Sequence, residues 1–229
     1  MRHRIWTRLV FAVVMSSVLA MALPVLAETF FIDPKPEKKW MQYFYRANGV
    51  APAPKPSTLV NGGTAVGFTF LDTPDTALFM TGHPAYNGTL LGDLTGETVS
   101  ASVTISATGP FTYYGQGTAS NPCGTPASVR LYFSTNNNEL GESQYWWSNP
   151  DSNPLAPGSD SLSAPLTPDA WSDRDGHPGT FDAAHEAAFA AAVADVQHIG
   201  LSFGGGCFFA NGVGNTGTAS FALTEFIVE

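Results

Sequence analysis

Residues 98–106 read TVSASVTIS, and their alternation decides the fold class. Val99, Ala101, Val103 and Ile105 fall on one side of an extended chain, with Thr98, Ser100, Ser102, Thr104 and Ser106 on the other. A period of two over nine residues predicts a strand with one apolar and one hydroxyl face, as in a layer of an antiparallel sandwich. Working outward, TAVGFTF (64–70), ALFMT (77–81), FTYYG (111–115), SVRLYFST (128–135), SQYWWS (143–148), SLSAPL (161–166), HIGLSF (198–203) and TASFALTEFIV (218–228) are further strand candidates. Turn clusters such as NGG (61–63) and NPDSNPLAPGSD (149–160) divide them. About ten short strands predict an all-β fold, a two-sheet antiparallel β-sandwich or jelly roll.

One segment departs from that rhythm. FDAAHEAAFAAAVADVQ (181–197) is rich in alanine, and Phe181, His185, Phe189, Val193 and Val196 recur at helical spacing. A single short amphipathic helix is expected there, capped by Thr180 or Asp182.

The N-terminal 27 residues have the layout of a secretory signal. Arg2, Arg4 and Arg8 precede an apolar run, and Val25-Leu26-Ala27 suits cleavage before Glu28. The expectation is a secreted or periplasmic protein with no membrane span after cleavage. Residues 28–60 form an N-terminal arm, with the aromatic run WMQYFY (40–45) and the proline-rich linker APAPKPS (51–57), ahead of a β-sandwich domain at 61–229. Loss of the signal removes three of ten basic residues, leaving seven against nineteen acids, a net charge of −12. That balance excludes nucleic acid as a partner, because phosphate binding needs a basic surface.

Cys123 and Cys207 are the two cysteines, and an even count in an exported chain predicts one disulfide. Metal ligation has weaker support. Asp173 and Asp175, in the loop SDRDGHPG (172–179), alternate as calcium ligands can, but the spacing of a calcium-binding EF-hand is absent. His185-Glu186 begins the zinc-protease pattern H-E-x-x-H, but Phe189 occupies the second histidine position. His185 is therefore expected within the helix's apolar stripe. No cofactor is expected, calcium being the one candidate.

GLSFGGGCFFANGVGNTG (200–217) matches two catalytic patterns in outline. Ser202 fits G-x-S-x-G, yet three glycines follow where a helix should start, and no histidine occurs after His198. Gly212-x-Gly214-x-x-Gly217 leaves no room for the βαβ unit of a dinucleotide site. Both are read as turn glycines between strands, with Phe208 and Phe209 opening the next strand.

Tyr145, Trp146, Trp147 and Trp171 are the candidate ligand-binding residues, because an exposed aromatic plane is what a sugar ring stacks on. Consecutive Trp146 and Trp147 must point to opposite faces, one to the core and one outward. Carboxylates such as Asp160, Asp173 and Glu225 keep a two-acid glycosidase or lyase open as an alternative. No catalytic residue is assigned.

The phrases YNGTLLGDLTGETVSASVTI (86–105), SVRLYFST (128–135), YWWSN (145–149), LSAPLTPDAWSDRDG (162–176) and IGLSFGGGCFFANGVGNTGTASFALTEFIV (199–228) occur together. In combination they resemble bacterial exported jelly-roll domains of the galactose-binding-like and laminin-B-like kind, over residues 62–229. The resemblance implies a fold similar to carbohydrate-binding modules, and with it a non-catalytic protein for a glycan or cell-envelope ligand. A structural envelope or matrix protein is the remaining alternative.

Overall fold

The computed structural model describes residues 36–46, 51–135, 144–149 and 153–229. The expected signal at 1–27 lies outside them. In chain order the strands are β1 (Met41–Phe44), β2 (Lys55–Pro56), β3 (Thr58–Val60), β4 (Ala65–Thr69) and β5 (Thr76–Thr81). Then come β6 (Thr98–Ala107), β7 (Phe111–Tyr113), β8 (Ser128–Ser134), β9 (Tyr145–Ser148) and β10 (Asn153–Pro154). β11 (Gly158–Pro165) and β12 (Trp171–Ser172) precede helix α1 (Ala183–Val193). β13 (His198–Gly204), β14 (Val213–Asn215) and β15 (Ala219–Val228) complete the fold.

Two antiparallel sheets result. The smaller runs β11-β6-β15-β4-β3, and the larger follows β12-β9-β8-β13-β5-β1-β2, with β10, β14 and β7 attached off that path. Eight strands pair first with last: β4 with β15, β5 with β13, β6 with β11, and β8 with β9. This is one long antiparallel ribbon wound across two sheets, the jelly roll.

The alternation of β6 produces its two faces directly. Val99, Ala101, Val103 and Ile105 are buried between the sheets. Its hydroxyls face outward, where Ser100 meets Ser163 at 2.9 Å and Thr104 meets Ser159 at 3.1 Å across the β6–β11 ladder. From the larger sheet Val129, Leu131, Phe133, Ile199, Leu201 and Phe203 point inward. Phe68, Phe79, Phe203 and Phe221 pack with ring centroids 5.1–6.0 Å apart, giving an aromatic centre with little conformational freedom.

The segment expected as an arm joins both layers. Trp40 is fully buried, 5.5 Å from Phe79 and 5.2 Å from Phe226, β1 pairs with β5, and β3 pairs with β4. Gln42 points inward on β1, where its amide donates to Thr76 Oγ1 at 2.9 Å. That hydrogen bond removes the cost of a buried amide.

α1 covers 183–193 and is shorter than the 181–197 pattern. Asp182 caps it, accepting from the N–H groups of Ala184 and His185, so Phe181 falls outside the helix and is exposed. Phe189, Ala192 and Val193 form its buried face, while its outer face is largely alanine. It is amphipathic in burial more than in composition.

In 200–217 the glycine-rich reading holds with one correction. Gly206 takes φ +67°, a region that disfavours other residues, and Cys207 bonds to Cys123 with Cα atoms 5.1 Å apart. Phe208 and Phe209 do not open a strand. They lie in a turn with Phe208 exposed, and the next strand begins at Val213.

Candidate functional site

The register of β8 and β9 separates the predicted aromatics. Trp146 is opposite Phe133 and points inward; Trp147 is opposite Tyr132 and points outward. Trp146 has no exposed surface and packs 5.0 Å from Phe189. Trp171 is equally buried, 4.9 Å from Phe133, with its indole N–H donating to the Pro165 carbonyl at 2.8 Å. The expectation that Trp146 and Trp171 offer ring faces to a ligand is therefore corrected, since both fill the space between the sheets.

Trp147 and Tyr145 lie on the opposite, outer face. Their rings are nearly parallel, 19° apart in plane and 6.2 Å between centroids. Tyr132 lies 5.5 Å from Trp147, and Phe209 reaches it from the turn after Cys207, at 5.6 Å. The Arg130 guanidinium sits 4.7 Å over the Phe209 ring. Met80, Leu78, Tyr43 and Ala210 extend this apolar patch over β5 and β1. Trp147 itself is 7% exposed, whereas Tyr145, Phe209, Tyr43 and Leu78 are half-buried and form the accessible rim. Burial raises the phenol pKa of Tyr132, Tyr43 and Tyr145, so all three keep their proton across the physiological range.

Tyr132 and Arg130 were within reach of sequence reasoning, because they alternate with Val129, Leu131 and Phe133. Phe209 was not, since its place depends on how a glycine turn folds back over the sheet.

A second cluster lies between β12 and α1. Asp173 is 1% exposed. Its Oδ1 accepts from the backbone N–H groups of Asp175 and His177 at 2.9 and 2.8 Å. Its Oδ2 has no hydrogen bond and faces His185 Nε2 at 3.4 Å and His177 Nδ1 at 3.6 Å. His185 Nδ1 meets Asp182 Oδ1 at 2.7 Å. That contact, followed by the helix N–H groups, holds the Asp182 carboxyl below its ordinary pKa. Phe181 stacks on His177 with centroids 4.3 Å apart.

Two expectations change here. His185 lies between carboxylates instead of in an apolar stripe, because the Asp182 cap places it in the first helical turn facing the loop. Asp175 points away as an exposed turn residue, contributing only its N–H, so Asp173 and Asp175 do not converge as a calcium pair.

The other chemical candidates stay apart. Glu225 follows a β-bulge that turns it outward to accept from Ser102 Oγ at 3.1 Å, and Asp160 accepts from Asn153 at 2.8 Å. Ser202 Oγ is fully buried with no hydrogen-bond partner, so no base activates it.

No family model matches the chain, and none of the curated proteins matches it. Among solved structures the chain is similar to a xylan-binding module CBM15, at 12% identity and a TM-score of 0.35, over 81% of this chain and 90% of that chain. At that score the likeness carries no argument, and the two-sheet antiparallel sandwich is established by the strand order itself.

Proposed function

We propose that this chain is an exported, non-catalytic glycan-binding module whose ligand, a neutral or cell-envelope polysaccharide, lies along the Tyr145–Trp147–Phe209 band. The observation that supports this reading is the contrast between the two outer faces. The smaller sheet turns serine and threonine hydroxyls outward along β6 and β11, whereas the larger sheet turns rings and thioether outward over β9, β8 and β5. The part of that patch open to solvent is the rim of Tyr145, Phe209, Tyr43 and Leu78, and partly exposed apolar surface of this kind supports an interaction surface. Tyr145 and Phe209 offer partly exposed ring area for apolar sugar C–H groups. The acidic charge of the chain disfavours polyanions.

Purified wild type and Tyr145→Ala, compared by affinity electrophoresis and pull-down on a panel of polysaccharides, test the proposal. Retention of wild type on at least one neutral polysaccharide is expected, weakened about tenfold in the variant, as loss of a stacking ring implies. Absence of retention across the panel at millimolar ligand, or equal retention of the two proteins, would overturn it.

A further inference from the structure

We propose that Asp173, His177 and His185 form a binding site for a divalent transition-metal ion of the zinc type, independent of the glycan face. The donor atoms of the three residues all lie within 4.8 Å of one another. Metal–ligand bonds of about 2.0–2.1 Å place neighbouring ligands of a tetrahedral ion about 3.3 Å apart. The Asp173 Oδ2 separations of 3.4 and 3.6 Å from the two imidazoles match that spacing, and both are too long for the charge-assisted hydrogen bonds they would otherwise represent.

The carboxylate supplies the independent argument. Asp173 Oδ2 is a buried anionic oxygen with no hydrogen bond, aimed between two imidazole nitrogens. A buried charge left in that state is costly unless a cation completes it. Meanwhile Oδ1 is fixed by two backbone N–H groups, so the carboxylate cannot rotate to satisfy Oδ2 without losing them.

The histidine tautomer points the same way. Asp182 can only accept, so the 2.7 Å contact requires a proton on His185 Nδ1. In the neutral ring Nε2 then carries a lone pair, directed at the Asp173 oxygen. Two lone-pair atoms facing each other need a proton or a metal ion between them, and 3.4 Å is long for the proton-bridged pair. Asp182–His185 is thereby the carboxylate–histidine arrangement that orients a ligand and raises its basicity. Two imidazoles and one carboxylate suit zinc and its neighbours, whereas calcium takes six to eight oxygens.

The scaffold is built before any ion arrives. Asp173 and His177 close a turn through Asp173 N–H to His177 C=O at 2.9 Å, with Gly176 at φ +86°. Gly179 N–H donates to the carbonyl of Trp171 at 3.0 Å, which ties that turn to a core tryptophan. His177 is the exposed ligand, leaving a side open for water as a further ligand.

The test uses the full chain stripped with chelator, then titrated with Zn2+, Ca2+ or Co2+ by calorimetry and thermal unfolding. Expected are one Zn2+ per chain at micromolar or tighter Kd, a raised Tm, tetrahedral Co2+ absorption bands, and no response to calcium. His177→Ala, an exposed position, should weaken Zn2+ binding at least a hundredfold while the apo Tm stays near wild type. Asp182→Asn should weaken it about 10- to 100-fold through the outer shell. The absence of Zn2+ binding by wild type at 100-fold molar excess, or equal binding by His177→Ala, would overturn the assignment. Glycan retention by the zinc-free protein is unaffected in either case.

Discussion

Ser202 is completely buried on the outward side of β13, between Arg130 and Leu78 in the sheet register, and its hydroxyl makes no hydrogen bond. A hydroxyl held away from water in that way costs about 1–3 kcal/mol. Ser202→Ala is therefore expected to leave any activity intact and to raise stability by about 1 kcal/mol, read from the urea midpoint. A loss of stability would show that the hydroxyl finds a partner in solution. Gln42 is the opposite case, a polar side chain turned inward but paired with Thr76, and its presence hides the strand pattern of WMQYFY. Sequence reading places Tyr145, Trp146 and Trp147 on one strand, and derives the opposition of Trp146 and Trp147 from the pleat alone. It does not bring Asp173, His177 and His185 together. Their spacing resembles no short motif, and their convergence depends on a turn and a helix cap acting jointly.

At the scale of elements, β6 was the most legible, since nine alternating residues admit one period. β15 was less so. Its inward residues run Phe221, Leu223, Phe226, and the step of three comes from a bulge that displaces Thr224 and turns Glu225 outward. The turn after β13 is held from several sides. Asn121 Oδ1 accepts from Cys207 N–H at 2.8 Å, Asn211 Oδ1 accepts from Gly205 N–H at 2.9 Å, and the disulfide closes 84 residues of chain. This turn carries Phe209 to Trp147, so the cross-link and the ring band are mechanically connected. Replacing both cysteines with serine is expected to cost about 4–5 kcal/mol by the chain-entropy argument. The asparagine bonds should keep the folded form recognisable. Denaturant unfolding of the double variant measures the loss, and an unchanged midpoint would show that the bridge contributes nothing to stability.

For the whole molecule, two sheets with one helix over an end were readable from strand count and patterning, whereas strand order was not. Order arises from which faces find each other at long range, and no local period encodes it. The incorporation of β1, β2 and β3 into the two sheets was hidden for the same reason: all three are short, β2 and β3 lie in or beside the proline-rich stretch, and only long-range pairing with β5 and β4 reveals them. Among the described residues no helix is long and apolar enough to cross a membrane. β15 lies between β4 and β6, and its Phe221, Leu223 and Phe226 are fully buried. Removal of residues 218–229 is accordingly expected to abolish the cooperative unfolding transition in calorimetry. A truncated chain that still melts cooperatively would show that the remaining strands close on each other.

That central position of β15 also sets an order of events in time. β4 and β6 are synthesised more than a hundred residues before the strand that must lie between them, and both wait with open edges until it arrives. The same delay leaves two apolar strands exposed to self-association. The topology thus acts as a clock: the smaller sheet cannot close until its central strand is made, and a holding chaperone is most valuable just before that point.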